Sequence, residues 1–67
     1  MTVARVTEIT ATSTKSFDDA VAQGIARAVK TLNNVKGAWV QEMTVDVDGD
    51  RISTYRANMK VTFVLED

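Results

Sequence analysis

Alternating apolar and polar positions divide the chain into segments with different periods. Residues 3–10 mix β-branched and polar types, which predicts a short strand, and residues 10–15 form a Thr- and Ser-rich connection. A period of two appears over residues 38–47 and again over 51–65, with Asp48-Gly49-Asp50 between the two runs. Two alternating runs joined by an Asp-Gly turn predict a β-hairpin.

The segment between the first strand and the hairpin has the period of an amphipathic helix. Ser16 is a favourable N-cap, and Asp19 three residues later completes a pair that resembles a capping box. Apolar residues recur at spacings of three and four, at Phe17, Ala20, Val21, Ile25, Ala28, Val29 and Leu32. Stop signals follow at Asn33, Asn34 and Gly37. The pattern predicts one helix with a single apolar stripe.

The last predicted strand has two faces of different polarity. One face carries Tyr55, Ala57, Met59, Val61, Phe63 and Leu65. The other carries Arg56, Asn58, Lys60 and Thr62. The fold class is therefore α+β, a single β-α-β-β domain over residues 1–67, with a three-stranded antiparallel sheet packed on one amphipathic helix. The second sheet face and the outer strand edges stay uncovered, which favours association with partner subunits.

Composition narrows the function classes. The chain has 67 residues, no Cys and no His, and a net charge of −1. Disulfides and a His-activated nucleophile are excluded, so we predict subunit association as the source of extra burial and no enzymatic activity. The small net charge argues against nucleic acid and membrane partners. With no apolar run long enough to span a bilayer and no signal-like N-terminus, a cytoplasmic location is expected.

Trp39 is the one tryptophan, and it lies near the start of the predicted hairpin. Alternation places it on one face with Gly37 and Gln41, opposite Ala38 and Val40. If Ala38 and Val40 face the helix, Trp39 lies on the uncovered face. There it is either buried in a subunit contact, which the sequence alone favours, or a stacking surface for a planar ligand.

Charged residues offer two further candidate sites. Arg56 and Lys60 share the polar face of the last strand, where they are either solvated, paired between subunits, or able to bind a phosphate or carboxylate. Asp46, Asp48 and Asp50 have oxygen ligands that Ca²⁺ prefers, but they lack the spacing of an EF-hand loop. We favour a plain hairpin turn over a metal site there.

Nearly the whole chain resembles the dodecins. The resemblance is carried by Val6-Thr7-Glu8-Ile9, Ser16-Phe17-Asp18-Asp19-Ala20, Gly24-Ile25-Ala26-Arg27-Ala28, Thr31-Leu32 and the run from Tyr55 to Asp67. It implies a hollow homododecamer of cubic symmetry that stores flavins (riboflavin, lumichrome or FMN) without turnover. In flavin-binding members a Trp from each of two symmetry-related subunits stacks on the flavins, and a Gln on the last strand hydrogen-bonds the ring.

Two positions depart from that family pattern. Aligned without gaps, Gly37 stands at the position of the stacking Trp and Arg56 at the position of the Gln. Trp39 lies two residues further along the same strand face, a displacement of about 6–7 Å. Glu42 falls where flavin binders often carry an acid.

Two functional hypotheses follow. The first is a non-enzymatic binding and storage shell for a flavin, FMN or riboflavin, in which Trp39 stacks on the ring and Gln41 adds polar contacts. Arg56 makes a charge-assisted contact that favours FMN over riboflavin. The alternative is a flavin-free shell with a structural or Ca²⁺-binding role, in which Trp39 anchors a subunit interface.

Overall fold

The computed structural model describes residues 2–65, which form four elements in the order strand, helix, strand, strand. They are β1 (Ala4–Ser13), α1 (Phe17–Thr31), β2 (Val35–Asp48) and β3 (Arg51–Val64). The strands form one antiparallel sheet in the order β1-β3-β2, so the last strand is the central one. The predicted α+β fold with a β-α-β-β element order is confirmed.

The first strand extends further than its sequence pattern predicted. Residues 10–15 were expected to be a connection, but β1 continues to Ser13, which pairs with Tyr55. The long β3 offers backbone partners along the whole of β1, and the β-branched threonines of this segment suit a strand. The connection to the helix therefore shrinks to residues 14–16.

The N-terminus of α1 is fixed by hydrogen bonds to both sides of the connection. The Asp19 N–H donates to the Ser16 hydroxyl at 3.0 Å, which confirms Ser16 as the N-cap. The Asp19 carboxylate accepts from the Ser13 hydroxyl and from the Gln23 amide, each at 2.5 Å. The bond from Ser13 does most to lower the pKa of Asp19, against a smaller desolvation effect that raises it. The end of β1 is thus tied to the first helical turn.

The C-terminus of α1 is set by asparagine and not by glycine. Leu32, the C-cap, donates its N–H to the Ala28 carbonyl at 2.9 Å. Asn34 then adopts a φ of 60°, the left-handed conformation that turns the chain into β2. Gly37, expected as a stop signal, lies inside β2, because β2 already begins at Val35.

The hairpin turn lies where the sequence predicted it. Gly49 and Asp50 connect β2 to β3, and Gly49 has a φ of 67°. That left-handed conformation is the one a tight two-residue hairpin loop requires, and glycine adopts it without steric cost.

The core lies between the helix and the central strand. The fully or nearly fully buried apolar residues are Ala20, Ala28, Ala57, Met59 and Val61. The three from β3 belong to the face that alternation assigned to the helix, so that prediction is confirmed. Tyr55, at the end of the same face, meets Phe17 edge to face with ring centroids 5.1 Å apart.

Small residues on α1 allow this close approach. Gly24 is buried between Ala20 and Ala28, and a Cβ at Gly24 would lie 2.5 Å from Cε of Met59 and 3.0 Å from Cβ of Ala11. The sequence pattern missed Gly24, because apolar periodicity counts large side chains and a glycine contributes none. It also placed Val29 in the stripe, whereas Val29 is 51% exposed.

Replacing Gly24 by valine should therefore lower stability by about 1–3 kcal/mol, since the new side chain must displace both Met59 and Ala11. The measurement is the midpoint of thermal unfolding at a fixed protein concentration. Ala26→Val, on the exposed side of the same helix, is the control and should cost only the small helix penalty of a β-branched residue. Equal losses in the two variants would contradict the close packing at Gly24.

The hydrogen bonds to Asp19 predict a pH dependence. Its folded-state pKa is lowered below the ordinary 3.8, so its stabilising effect is present above pH 3.8 and is lost as the pH falls through the lowered value. Asp19→Asn should flatten the acid limb of a urea midpoint-against-pH curve. Asp18→Asn, which removes an exposed acid from the same turn and keeps the bond between Ser13 and Asp19, is the matched control. An unaltered limb in Asp19→Asn would refute the assignment.

Candidate functional site

The sheet face turned away from α1, called the open face here, has no cover in this chain. Ala38 and Val40 of β2 pair with the buried Val61 and Met59, so they point towards the helix. Trp39 lies between them and therefore points to the open face. Its predicted placement on the uncovered face is confirmed.

Trp39 presents a large apolar surface there, with 64% of the residue exposed. It pairs across the strands with Lys60, whose Nζ lies 5.6 Å from the centroid of the indole ring. This is a cation–π contact, which orients the indole without covering it. Glu8 of β1 is the next residue in the same row, opposite Lys60. An aromatic surface flanked by one cation and one carboxylate suits a planar ligand with polar edges.

A β-bulge sets the next row of the open face. The pairing of β2 with β3 shifts register between Val40 and Glu42, so that Gln41 and Glu42 both stand opposite Asn58. A bulge keeps two successive side chains near the same face, where regular alternation would separate them. Gln41 and Glu42 thus lie beside Trp39 on the open face, together with Asn58.

Hydrogen bonds connect this row across all three strands. Nε2 of Gln41 donates to Oε2 of Glu8 at 3.2 Å and to Oδ1 of Asn58. Nδ2 of Asn58 donates in turn to the Thr10 hydroxyl at 3.0 Å. Asn58, Glu8 and Thr10 were not among the sequence-predicted site residues. Alternation had placed Asn58 on the polar face, but its neighbours follow only from the register.

Arg56 lies further along the open face and is already paired. Its Nη1 and Nη2 donate to the two carboxylate oxygens of Asp46 at 3.0 and 2.8 Å, a bidentate ion pair. The bond from Arg56 lowers the pKa of Asp46, and the bond to Asp46 raises that of Arg56 further. Arg56 is four residues from Lys60, which places it about 13 Å along β3 from the Trp39 row.

Gly37 leaves an open space on the other side of Trp39. It pairs with Thr62, and among the described residues no atom beyond Gly37 and its two chain neighbours lies within 4 Å of the position that a Cβ would take. The structure therefore brings Gly37, Trp39, Gln41 and Glu42 onto one continuous surface of β2. Arg56 lies at its far end.

The three acids near the hairpin turn do not converge. Asp46 is paired with Arg56, Asp48 stands opposite Arg51 where the strands end, and Asp50 lies in the turn. Among residues 2–65, no three acidic side chains come together closely enough to hold a metal ion. Within the same range, no helix has the length and apolar character needed to cross a membrane.

Comparison with known proteins agrees with this architecture. The family model described as dodecin matches residues 3–66. The chain belongs to the dodecin family. Members of this family form homo-oligomers and bind small molecules. Dodecamer assembly fits the solved dodecin structures.

Solved dodecin structures superpose closely on the chain. The dodecin from Streptomyces davaonensis is 35% identical, with a TM-score of 0.93 over 98% of this chain and 97% of that one. A variant of Thermus thermophilus dodecin is 27% identical, with a TM-score of 0.94 over the full length of both chains. A calcium-chelating antigen of Mycobacterium tuberculosis, named calcium dodecin, is 32% identical, with a TM-score of 0.82 over 96% and 91%. No match was found among curated proteins.

Proposed function

We propose that this dodecin is a non-enzymatic binding and storage protein for a flavin, assembled as a hollow homododecamer in the cytoplasm. The observation that carries the proposal is Trp39, a residue 64% exposed on the sheet face that the helix leaves uncovered. An isolated chain leaves this surface in water, where it suits a planar ligand or a symmetry-related subunit.

The row beside Trp39 suits the polar edge of a flavin ring. Gln41 and Asn58 carry amides, each with donors and an acceptor, and an isoalloxazine ring presents an imide with both kinds of group. The open space at Gly37 leaves room for a ring that extends beyond the edge of the indole along β2. Trp39 therefore takes the stacking role, Gln41 and Asn58 the ring-edge contacts, and Glu42 borders the same row.

Stacking predicts that Trp39→Ala weakens flavin binding about tenfold or more. A stacked nucleobase loses roughly 1–3 kcal/mol of binding free energy when its aromatic partner is replaced by alanine, and the flavin ring stacks in the same way. The measurement is a titration of FMN and riboflavin that follows quenching of flavin emission. Trp39→Phe retains a ring and should keep most of the affinity. Val47→Ala, an equally exposed apolar residue near the hairpin turn, is the matched control. Undiminished binding in Trp39→Ala would refute the stacking role.

Assembly is measured on the same variants, because Trp39 has a second possible role as an interface anchor. A Trp39→Ala protein that sediments like the unchanged oligomer but no longer quenches flavin supports the ligand site. The flavin-free shell is supported by a different pair of results. In that case the Trp39→Ala protein dissociates into smaller species, and the unchanged protein does not quench flavin emission.

The second candidate function is cation binding, and its support is the 32% identity with a calcium-chelating dodecin. Asp48 and Asp50 leave their carboxylates exposed near the hairpin turn, where copies from neighbouring subunits could complete an oxygen ligand set.

This candidate predicts a saturable heat when Ca²⁺ is titrated into chelator-treated protein. The heat should be lost in the Asp48→Asn/Asp50→Asn double variant and retained in Asp18→Asn. Featureless titrations of the unchanged oligomer would remove the candidate.

A further inference from the structure

The pairing of Arg56 bears on which flavin the site accepts. FMN is riboflavin with a phosphate at the end of its ribityl chain, so the two ligands share the ring and differ in charge. A free arginine near the chain end would favour the phosphate by a bidentate, charge-assisted contact. The guanidinium group of Arg56 instead donates to both carboxylate oxygens of Asp46.

The distance along the strand suits such a contact. About 13 Å separates the Trp39 row from Arg56, which is the scale of a flavin ring together with part of its ribityl chain. A ring stacked at Trp39 and extended over Asn58 thus directs its ribityl chain along β3 towards the ion pair. Asp46, and not only Arg56, is what that terminus meets.

Asp46 is held in place on the hairpin. Its backbone carbonyl accepts a hydrogen bond from the Ser53 hydroxyl at 3.2 Å, and Asp46 stands opposite Thr54, one row beyond Arg56. The pair is partly exposed, with relative side-chain areas of 38% for Arg56 and 48% for Asp46, so a ligand can approach it. The side chain is therefore positioned to compete with an incoming anion.

The charge balance of the open face points the same way. Its ionisable side chains on the paired strands beside and beyond Trp39 are Glu8, Glu42, Asp46, Asp48, Arg51, Arg56 and Lys60. Acids outnumber bases by four to three, and Lys60 and Arg56 are already in contact with Trp39 and Asp46, respectively. A phosphate would add negative charge to a surface on which both cations between Trp39 and Asp46 are already engaged.

Building on the proposed flavin site, we infer that Asp46 is a specificity-determining residue: by occupying the guanidinium of Arg56, it makes this dodecin prefer flavins without a phosphate over FMN. Riboflavin keeps the ring contacts and brings no charge. FMN has to displace Asp46 from Arg56 or leave its phosphate beside a carboxylate.

The test compares dissociation constants for FMN and riboflavin in the unchanged oligomer and in Asp46→Asn. Removing the carboxylate frees the guanidinium, and the FMN-to-riboflavin affinity ratio should rise about tenfold, typical of one charge-assisted contact. Asp48→Asn makes the same change in net charge without touching the Arg56 pair, and its ratio should stay close to that of the unchanged protein. Adding Arg56→Gln to Asp46→Asn should abolish the gain.

The outcomes separate this inference from the proposed function. Riboflavin binding with an unaltered ratio in Asp46→Asn overturns the inference alone, as does an equal rise in Asp48→Asn. FMN binding without riboflavin binding in the unchanged protein also overturns the inference alone, whereas absence of binding of both flavins contradicts the proposed function. In that case FMN binding gained only by Asp46→Asn still supports the role of Asp46, and failure of Asp46→Asn to bind FMN overturns it.

Discussion

The close contact between one helix and the central strand is the constraint on which the rest of this structure depends. Gly24 lets α1 approach Met59 and Ala11 at a distance that excludes a Cβ. That contact buries Ala57, Met59 and Val61 on one face of β3, and a single helix has nothing left to cover the other face. The open face is thus a direct result of the topology, and it is the surface that this chain offers to a ligand or to another subunit.

Polar order on the open face comes from a local irregularity. In a regular ladder Gln41 and Glu42 would point to opposite sides of the sheet, and one of them would enter the core. The bulge opposite Asn58 keeps both outside and restores Met43 to the helix side, where it pairs with Ala57. One additional residue therefore concentrates amide and carboxylate groups beside Trp39 without placing a charge under the helix.

Sequence pattern was sufficient for features with a strong local cause. The Ser16 cap, the Gly49 turn and the buried face of β3 each depend on neighbouring residues, and each was predicted. Features that depend on distant partners were missed. The extension of β1 to Ser13 requires β3, and Gly24 acts through a side chain from another element.

The candidate site shows the same division. Alternation placed Trp39 on the uncovered face, but the Gln41 bulge and the engagement of Arg56 by Asp46 depend on register and side-chain direction. A charge next to a predicted site is easily taken as available for a ligand when only the sequence is known. For Arg56, the availability of the guanidinium depends on Asp46, which is ten positions away in the chain.

The strand order has a consequence for how the protein folds. β3 is central, so β1 remains without a sheet partner until the last strand has been synthesised, and Ala4 has to find Val64 across almost the whole described chain. Only the helix and the β2–β3 hairpin can form from local contacts. Closing so long a loop slows folding and leaves the threonine-rich β1 exposed in the meantime. The low number of large apolar side chains in β1 is then an advantage, because an unpaired strand that is mostly polar is less prone to aggregate with another copy.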